Sequence, residues 1–214
     1  MEHILQTWIG EIHIDNLRIG SYKLLEKNTN KWYNLADDTE INVKWDTTIS
    51  TTIENELKKG SIRVIKVDLD NNEIKLKGVK FDVLDENNRF LESIITDENG
   101  EAVTSRYSVR DFQKLKIRES ETLENYVLSD EIKTIELEPD YMKDIVFQNE
   151  KKKAQIRVIK VDKDNNEIKL EGVTFNVLDE QGNVVQTLVT DSNGEAITER
   201  IPIDQHYKLI ETRY

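Results

Sequence analysis

The sequence predicts an all-β protein of tandem immunoglobulin-like or transthyretin-like β-sandwich modules, one complete and two partial. Three observations predict it. First, Val, Ile, Thr and Tyr are common among the 214 residues and only two are proline, a composition that suits pleated, half-buried surfaces. Second, short runs of alternating apolar and polar residues are bounded by Asn, Asp and Gly clusters, which read as strands and turns. Third, "IRVIKVDLDNNEIKLKGVKFDVLDE" (62–86) returns as "IRVIKVDKDNNEIKLEGVTFNVLDE" (156–180) with four of 25 positions changed, at an offset of 94 residues. With hydrophobic residues at 37% and charged residues at 34%, any core must be thin, which favours small sandwich modules over one thick globule.

The repeat sets the domain organisation. The match continues from "TDENGEAVT" (96–104) to "TDSNGEAIT" (190–198), and the first sixty residues enter the same series midway. "GEIHIDNLRIGSYKLLE" (10–26) parallels the stretches that begin at Gly100 and Gly194, and "IENELKKGSIRV" (53–64) parallels "FQNEKKKAQIRV" (147–158). Residues 1–57 therefore read as the C-terminal part of a repeat, 58–152 as a complete repeat, and 153–214 as the N-terminal part of a third. Strands are predicted in the complete repeat near 61–68, 79–85, 90–96, 101–107, 113–119, 125–129, 132–138 and 143–149. "DENG" and "DSNG" read as hairpin turns, because Asn-Gly suits positions of positive φ. "DLDNNE" and "DKDNNE" read as short turns. A calcium loop is the rival reading there, weakened by the missing glycine and distal bidentate glutamate.

Charge and composition exclude several functions. The net charge of −12 is spread through the chain, whereas a nucleic-acid partner calls for a concentrated basic surface. No stretch approaches the ~18 apolar residues of a membrane span, and no signal peptide follows Met1, so neither nucleic acid nor membrane is expected as a partner. Cysteine is absent, which removes disulfides and thiolate metal sites. His3, His13 and His206 are scattered and form no zinc spacing. No cofactor and no metal is expected. A turnover enzyme is not expected either, since no nucleophile–base pair or phosphate loop occurs.

Three strands carry a polar residue on an apolar face. Every second residue of a strand shares a face, so the first strand reads Ile62, Val64, Lys66. A middle strand reads Leu115, Ile117, Glu119, and the last reads Ile145, Phe147, Asn149. The partial modules repeat the pattern with Lys160, with Tyr207, Leu209, Glu211 and Tyr22, Leu24, Glu26, and with Ile49, Thr51, Ile53, Asn55. An amine, a carboxyl and a carboxamide together permit amide formation between side chains. A lysine out of water favours its neutral, nucleophilic form, and a glutamic acid kept protonated there can hydrogen-bond the carboxamide oxygen and move protons so that ammonia leaves. Rigid juxtaposition must supply most of the acceleration.

These residues carry a resemblance. "GSIRVIKVD", "GVKFDVLDENN", "TDENGEA", "LKIRESETLENY" and "IVFQNE" resemble the Cna protein B-type (SpaA-like, prealbumin-like) repeats of Gram-positive adhesins and pilins. The landmarks are "KVD", "TDENG", and L-x-I-x-E followed seven residues later by tyrosine, as in Glu119 and Tyr126 or Glu26 and Tyr33. Where that family usually has proline and glycine before the tyrosine, this chain has "ETLENY" and "KNTNKWY".

The resemblance implies an isopeptide cross-link between Lys66 and Asn149 with Glu119 as the assisting acid, and a stalk or spacer role on a Gram-positive cell surface or cell wall. A link across 83 residues stabilises by about 4–5 kcal/mol in the chain-entropy treatment. Residues 153–214 hold Lys160 and Glu211 without a terminal asparagine, and 1–57 hold Glu26 and Asn55 without the lysine strand. A monomer is expected. Head-to-tail pairing that brings Lys160 to Asn55 is the alternative, opposed by the duplicate middle strands. The rival function is a host-matrix (collagen-type) binding module, which would need an exposed aromatic surface; Trp8, Trp32 and Trp45 all lie in the first partial module.

Overall fold

The structure is a computed structural model and describes residues 4–6 and 10–212; His3 and Trp8 lie outside them. Only strands, bridges and turns form among the described residues, with no helix. The first stretch gives β1 (Ile4–Gln6), β2 (Ile12–Ile14), β3 (Gly20–Leu24) and β4 (Thr39–Val43). The complete repeat gives β5 (Lys59–Asp68), β6 (Lys80–Leu84), β7 (Phe90–Ile95), β8 (Glu101–Val103), β9 (Tyr107–Ser108), β10 (Lys114–Glu121), β11 (Ile132–Glu136) and β12 (Met142–Asn149). The last stretch gives β13 (Lys153–Ala154), β14 (Arg157–Ile159), β15 (Thr174–Leu178), β16 (Val184–Val189), β17 (Glu195–Ile197), β18 (Ile201–Pro202) and β19 (Lys208–Glu211).

The described chain divides into two compact units. One holds residues up to Ser61 with Arg106–Gln113 and Leu137–Met142, and the other holds Ile62–Ser105, Lys114–Glu136 and the residues from Lys143 on. In the first unit β1 pairs with β2, β3 with β4, and β9 with the opening residues of β5. Arg110 also donates from Nη1 to the Tyr33 hydroxyl at 2.6 Å.

The second unit contains the sandwich that the alternation predicts. One sheet runs β11-β10-β6-β7 and the other β12-β5-β8. Apolar residues at every second position point between them: Ile62 and Val64 from β5, Phe81 and Val83 from β6, Leu115 and Ile117 from β10, and Phe147 from β12 are fully buried. The rings of Phe81 and Phe147, one from each sheet, lie 5.0 Å apart and tilted by 50°. Removing such faces from water stabilises by about 25 cal/mol per Å² of apolar surface. In the same unit β16-β15-β19 form a three-stranded sheet and β14 pairs with β17. Phe175, Val177, Leu188 and Ala196 make a second small core.

Buried threonines finish the backbone pairing where strands end. Thr96 Oγ1 accepts from the Val79 N–H at 2.9 Å and donates to the Leu76 carbonyl at 2.6 Å. Thr104 Oγ1 accepts from the Ile62 N–H at 3.0 Å, and Thr190 and Thr198 repeat both arrangements. Thr96→Val keeps the shape but removes both bonds, so it is expected to cost about 1–3 kcal/mol, read as a lower midpoint of urea unfolding.

Several local expectations change. Residues 125–129 form no strand: only Tyr126 bridges, to Lys151, while Val127 and Leu128 are half exposed and supply no inward face. The 101–107 strand breaks into β8 and β9. "DENG" makes a turn, with Gly100 at φ +69°, but the turn carries the chain from β7 in one sheet to β8 in the other, so no hairpin forms. Residues 49–55 are not a strand; among the described residues before Lys58 no counterpart of β5 pairs with them.

Candidate cross-linking site

Lys66, Glu119 and Asn149 meet inside the sandwich. Lys66 is the third inward residue of β5, Glu119 the third of the inward run on β10, and Asn149 ends β12. Their exposures are 0%, 5% and 2%. The backbone of Lys66 is fixed by Gly100, whose carbonyl accepts from the Lys66 N–H at 2.7 Å. A Cβ on Gly100 would stand 2.5 Å from the Lys66 carbonyl oxygen, so this approach and the positive φ both require glycine.

Four contacts join the side chains. Lys66 Nζ donates to Glu119 Oε2 at 2.5 Å and to Asn149 Oδ1 at 2.5 Å. Asn149 Nδ2 donates to Glu119 Oε1 at 2.5 Å and to Thr122 Oγ1 at 2.7 Å. The Phe81 and Phe147 ring centroids lie 5.7 and 5.8 Å from Nζ. Burial pushes the Lys66 amine below its ordinary value, and the hydrogen bond and charge of Glu119 offset only part of that. One carboxyl group therefore touches both the lysine nitrogen, through Oε2, and the carboxamide nitrogen, through Oε1. The sequence reading had Glu119 donate to the carboxamide oxygen. The structure instead gives that oxygen to Lys66 and turns Glu119 to the nitrogen. Thr122 was not foreseen, since a threonine in a polar loop carries no signal.

The partial modules hold parts of the same constellation. Lys160 Nζ lies 2.7 Å from Glu211 Oε2, with both side chains partly exposed. Asn55 Nδ2 donates to Glu26 Oε2 at 2.5 Å and to the Asn34 carbonyl at 2.8 Å. The Ala36 N–H also donates to Glu26 Oε2, and with Asn55 it holds the carboxyl below its ordinary value.

The remaining candidates fall elsewhere. Asp68 Oδ1 accepts from the N–H groups of Asp70 and Asn71 at 2.8 and 2.9 Å, so "DLDNNE" is a turn closed on its own carboxylate. Trp32 and Tyr33 are half-buried, and Trp45 is exposed. His13 and His206 are surface residues.

Comparison with known proteins bears on the fold and the family. The Bacillus anthracis TIE protein is similar over 99% of this chain at 26% identity and a TM-score of 0.72. The chain spans 40% of that protein's length. A streptococcal ancillary pilin aligns over 99% of this chain and 71% of its own, at 18% identity and a TM-score of 0.38. BcpA, the major pilin subunit of Bacillus cereus, aligns over 72% of this chain and 88% of its own, at 11% identity and a TM-score of 0.41. No curated protein matches by sequence. The model of the SpaA prealbumin-like fold domain matches residues 60–151 and again 154–214. The chain belongs to the SpaA prealbumin-like fold domain family.

Proposed function

We propose that the complete repeat is a spacer module of a Gram-positive cell-surface protein, locked by an amide that Lys66 and Asn149 form once, on folding, with Glu119 as the proton carrier. The observation that carries this is the bridging carboxyl: Oε2 against Nζ and Oε1 against Nδ2, all in a dry apolar site. Proton transfer from the Lys66 ammonium to Oε2 gives a neutral amine. Its lone pair attacks Asn149 Cγ, the Cγ–Nδ2 bond breaks, and one proton of the attacking nitrogen ends on Nδ2. Ammonia leaves, and the proton first taken from the ammonium stays on Glu119 or departs with it as ammonium. Proximity of this kind supplies the acceleration that amide chemistry in water lacks.

The bond would tie the first strand of the module to the last. Tension entering along β5 would then leave through β12 without unzipping the sheets, and reduction would not release it. Residues 1–57 read as the back half of a preceding repeat, a reading supported by the Glu26–Asn55 contact. Surface placement rests on the resemblance to adhesin and pilin repeats.

Proteolysis followed by tandem mass spectrometry tests the assignment. A branched peptide joining residue 66 to residue 149 is expected, with Lys160 recovered as a free amine. Linear peptides carrying an unmodified Lys66 throughout would contradict it.

A further inference from the structure

The strands bearing Lys66 and Asn149 are fastened at a second buried point. Asp68 follows Lys66 on the same face of β5 and is 1% exposed, and Tyr126 is 7% exposed. The Tyr126 hydroxyl donates to Asp68 Oδ2 at 2.8 Å. Burial alone would push the Asp68 carboxyl up, but the bonds from Tyr126, Asn71 and Asp70 outweigh it and hold the group below its ordinary value, as an anion.

Tyr126 also lies in the segment that runs beside the residues following Asn149. It bridges Lys151. On either side the Val127 N–H donates to the Glu150 carbonyl at 2.9 Å, and the Lys152 N–H to the Asn125 carbonyl at 2.7 Å. The Asn149 carbonyl accepts from the Leu69 N–H at 2.9 Å. A closed circuit results: Lys66 to Asp68 along β5, across the phenol to Tyr126, and through the bridge at Lys151 back to Asn149. Thr122, which accepts from Asn149 Nδ2, sits on the loop that Tyr126 terminates.

We propose that Tyr126, anchored by Asp68, is a positioning residue for the amide-forming step, because it fixes the Asn149 backbone opposite Lys66. This rests on the reading of Lys66, Glu119 and Asn149 given above. The repeat shows that the phenol is not needed to shape the turn. Asp162 accepts from the Asp164 and Asn165 N–H groups at 2.8 and 3.0 Å, and no tyrosine hydroxyl bonds it among the described residues. Tyr33 bridges Leu57 as Tyr126 bridges Lys151, yet its hydroxyl accepts from Arg110.

Positioning decides what attacks Asn149 Cγ. The Lys66 amine gives the amide and ammonia. Water at the same carbon gives an aspartate at that position and also releases ammonia, so the two products differ in mass.

Chain recovered from inclusion bodies in denaturant, then refolded and followed by intact mass, separates these routes. Tyr126→Phe is expected to form the amide about ten- to a hundredfold more slowly and to divert part of the chain to the deamidated product. Asp68→Asn, which keeps an oxygen that can face the phenol, should fall between it and the wild type. In a Lys66→Ala background Tyr126→Phe should remain folded by circular dichroism, so the slowing does not report unfolding. Wild-type rates for both variants, or a slowing no larger than the unfolded fraction in that background, would overturn the proposal. Should Tyr126→Phe not fold, Asp68→Asn carries the same expected and overturning results. A wild-type chain that never loses ammonia would overturn this proposal together with the reading beneath it, whereas normal wild-type reaction with indifferent variants overturns this one alone.

Discussion

Replacing Glu119 with Gln is expected to leave Lys66 and Asn149 unjoined, with the chain at its full mass after refolding. The substitution preserves the side chain's size, but its amide has one accepting oxygen where the carboxylate has two, so it cannot accept from both neighbours. It removes the carboxylate that takes a proton from Nζ and faces the leaving Nδ2, contacts of 2.5 Å each. General acid–base assistance of this kind contributes on the order of 10²- to 10⁴-fold, and the uncatalysed reaction of an amine with an amide is too slow to substitute for it. Intact mass after days of incubation reads the outcome. Ammonia loss at close to the wild-type rate would show that proximity alone suffices and that Glu119 is not the proton carrier.

Asn149→Ala is expected to lower stability by about 4–5 kcal/mol through the lost loop closure alone, and to make the remaining stability depend on alkaline pH. Lys66 then stays a free amine in a buried site, its folded value lowered by burial from the ordinary 10.5. Between that lowered value and 10.5 the unfolded chain binds more protons than the folded one, so stability rises with pH across the window. Below the window the full penalty of a buried ammonium applies. With the proposed bond formed, residue 66 of the wild type would have no amine to titrate, and this contribution to the slope would be absent. Urea denaturation at a series of pH values reads both effects: the gap between the two proteins should narrow toward pH 10.5. An equal midpoint for wild type and variant at neutral pH would contradict the expectation.

The parts of this site legible in the sequence are those that strand alternation governs. Lys66, Glu119 and Asn149 could be placed on inward faces because side chains alternate strictly, and the 94-residue repeat presented the same anomaly more than once. What was not legible depends on loops. Thr122 reaches Asn149 from a polar loop whose course no periodicity predicts. Tyr126 was visible as a landmark by its spacing from Glu119, but its bond to Asp68 joins residues 58 apart through a turn. The "DENG" signal located a turn correctly but could not reveal that the chain changes sheets there. The 49–55 segment has a strand's alternation, yet a strand also needs a neighbour to pair with. The role of Glu119 changed at atomic detail, from the carboxamide oxygen to its nitrogen, because sequence places a carboxyl on a face without orienting it.

The central claim is tested most directly by the intact mass of the folded, purified chain. The expected value is the sequence mass less one ammonia, a deficit that disappears in Lys66→Ala. A wild-type chain at its full sequence mass would contradict the account.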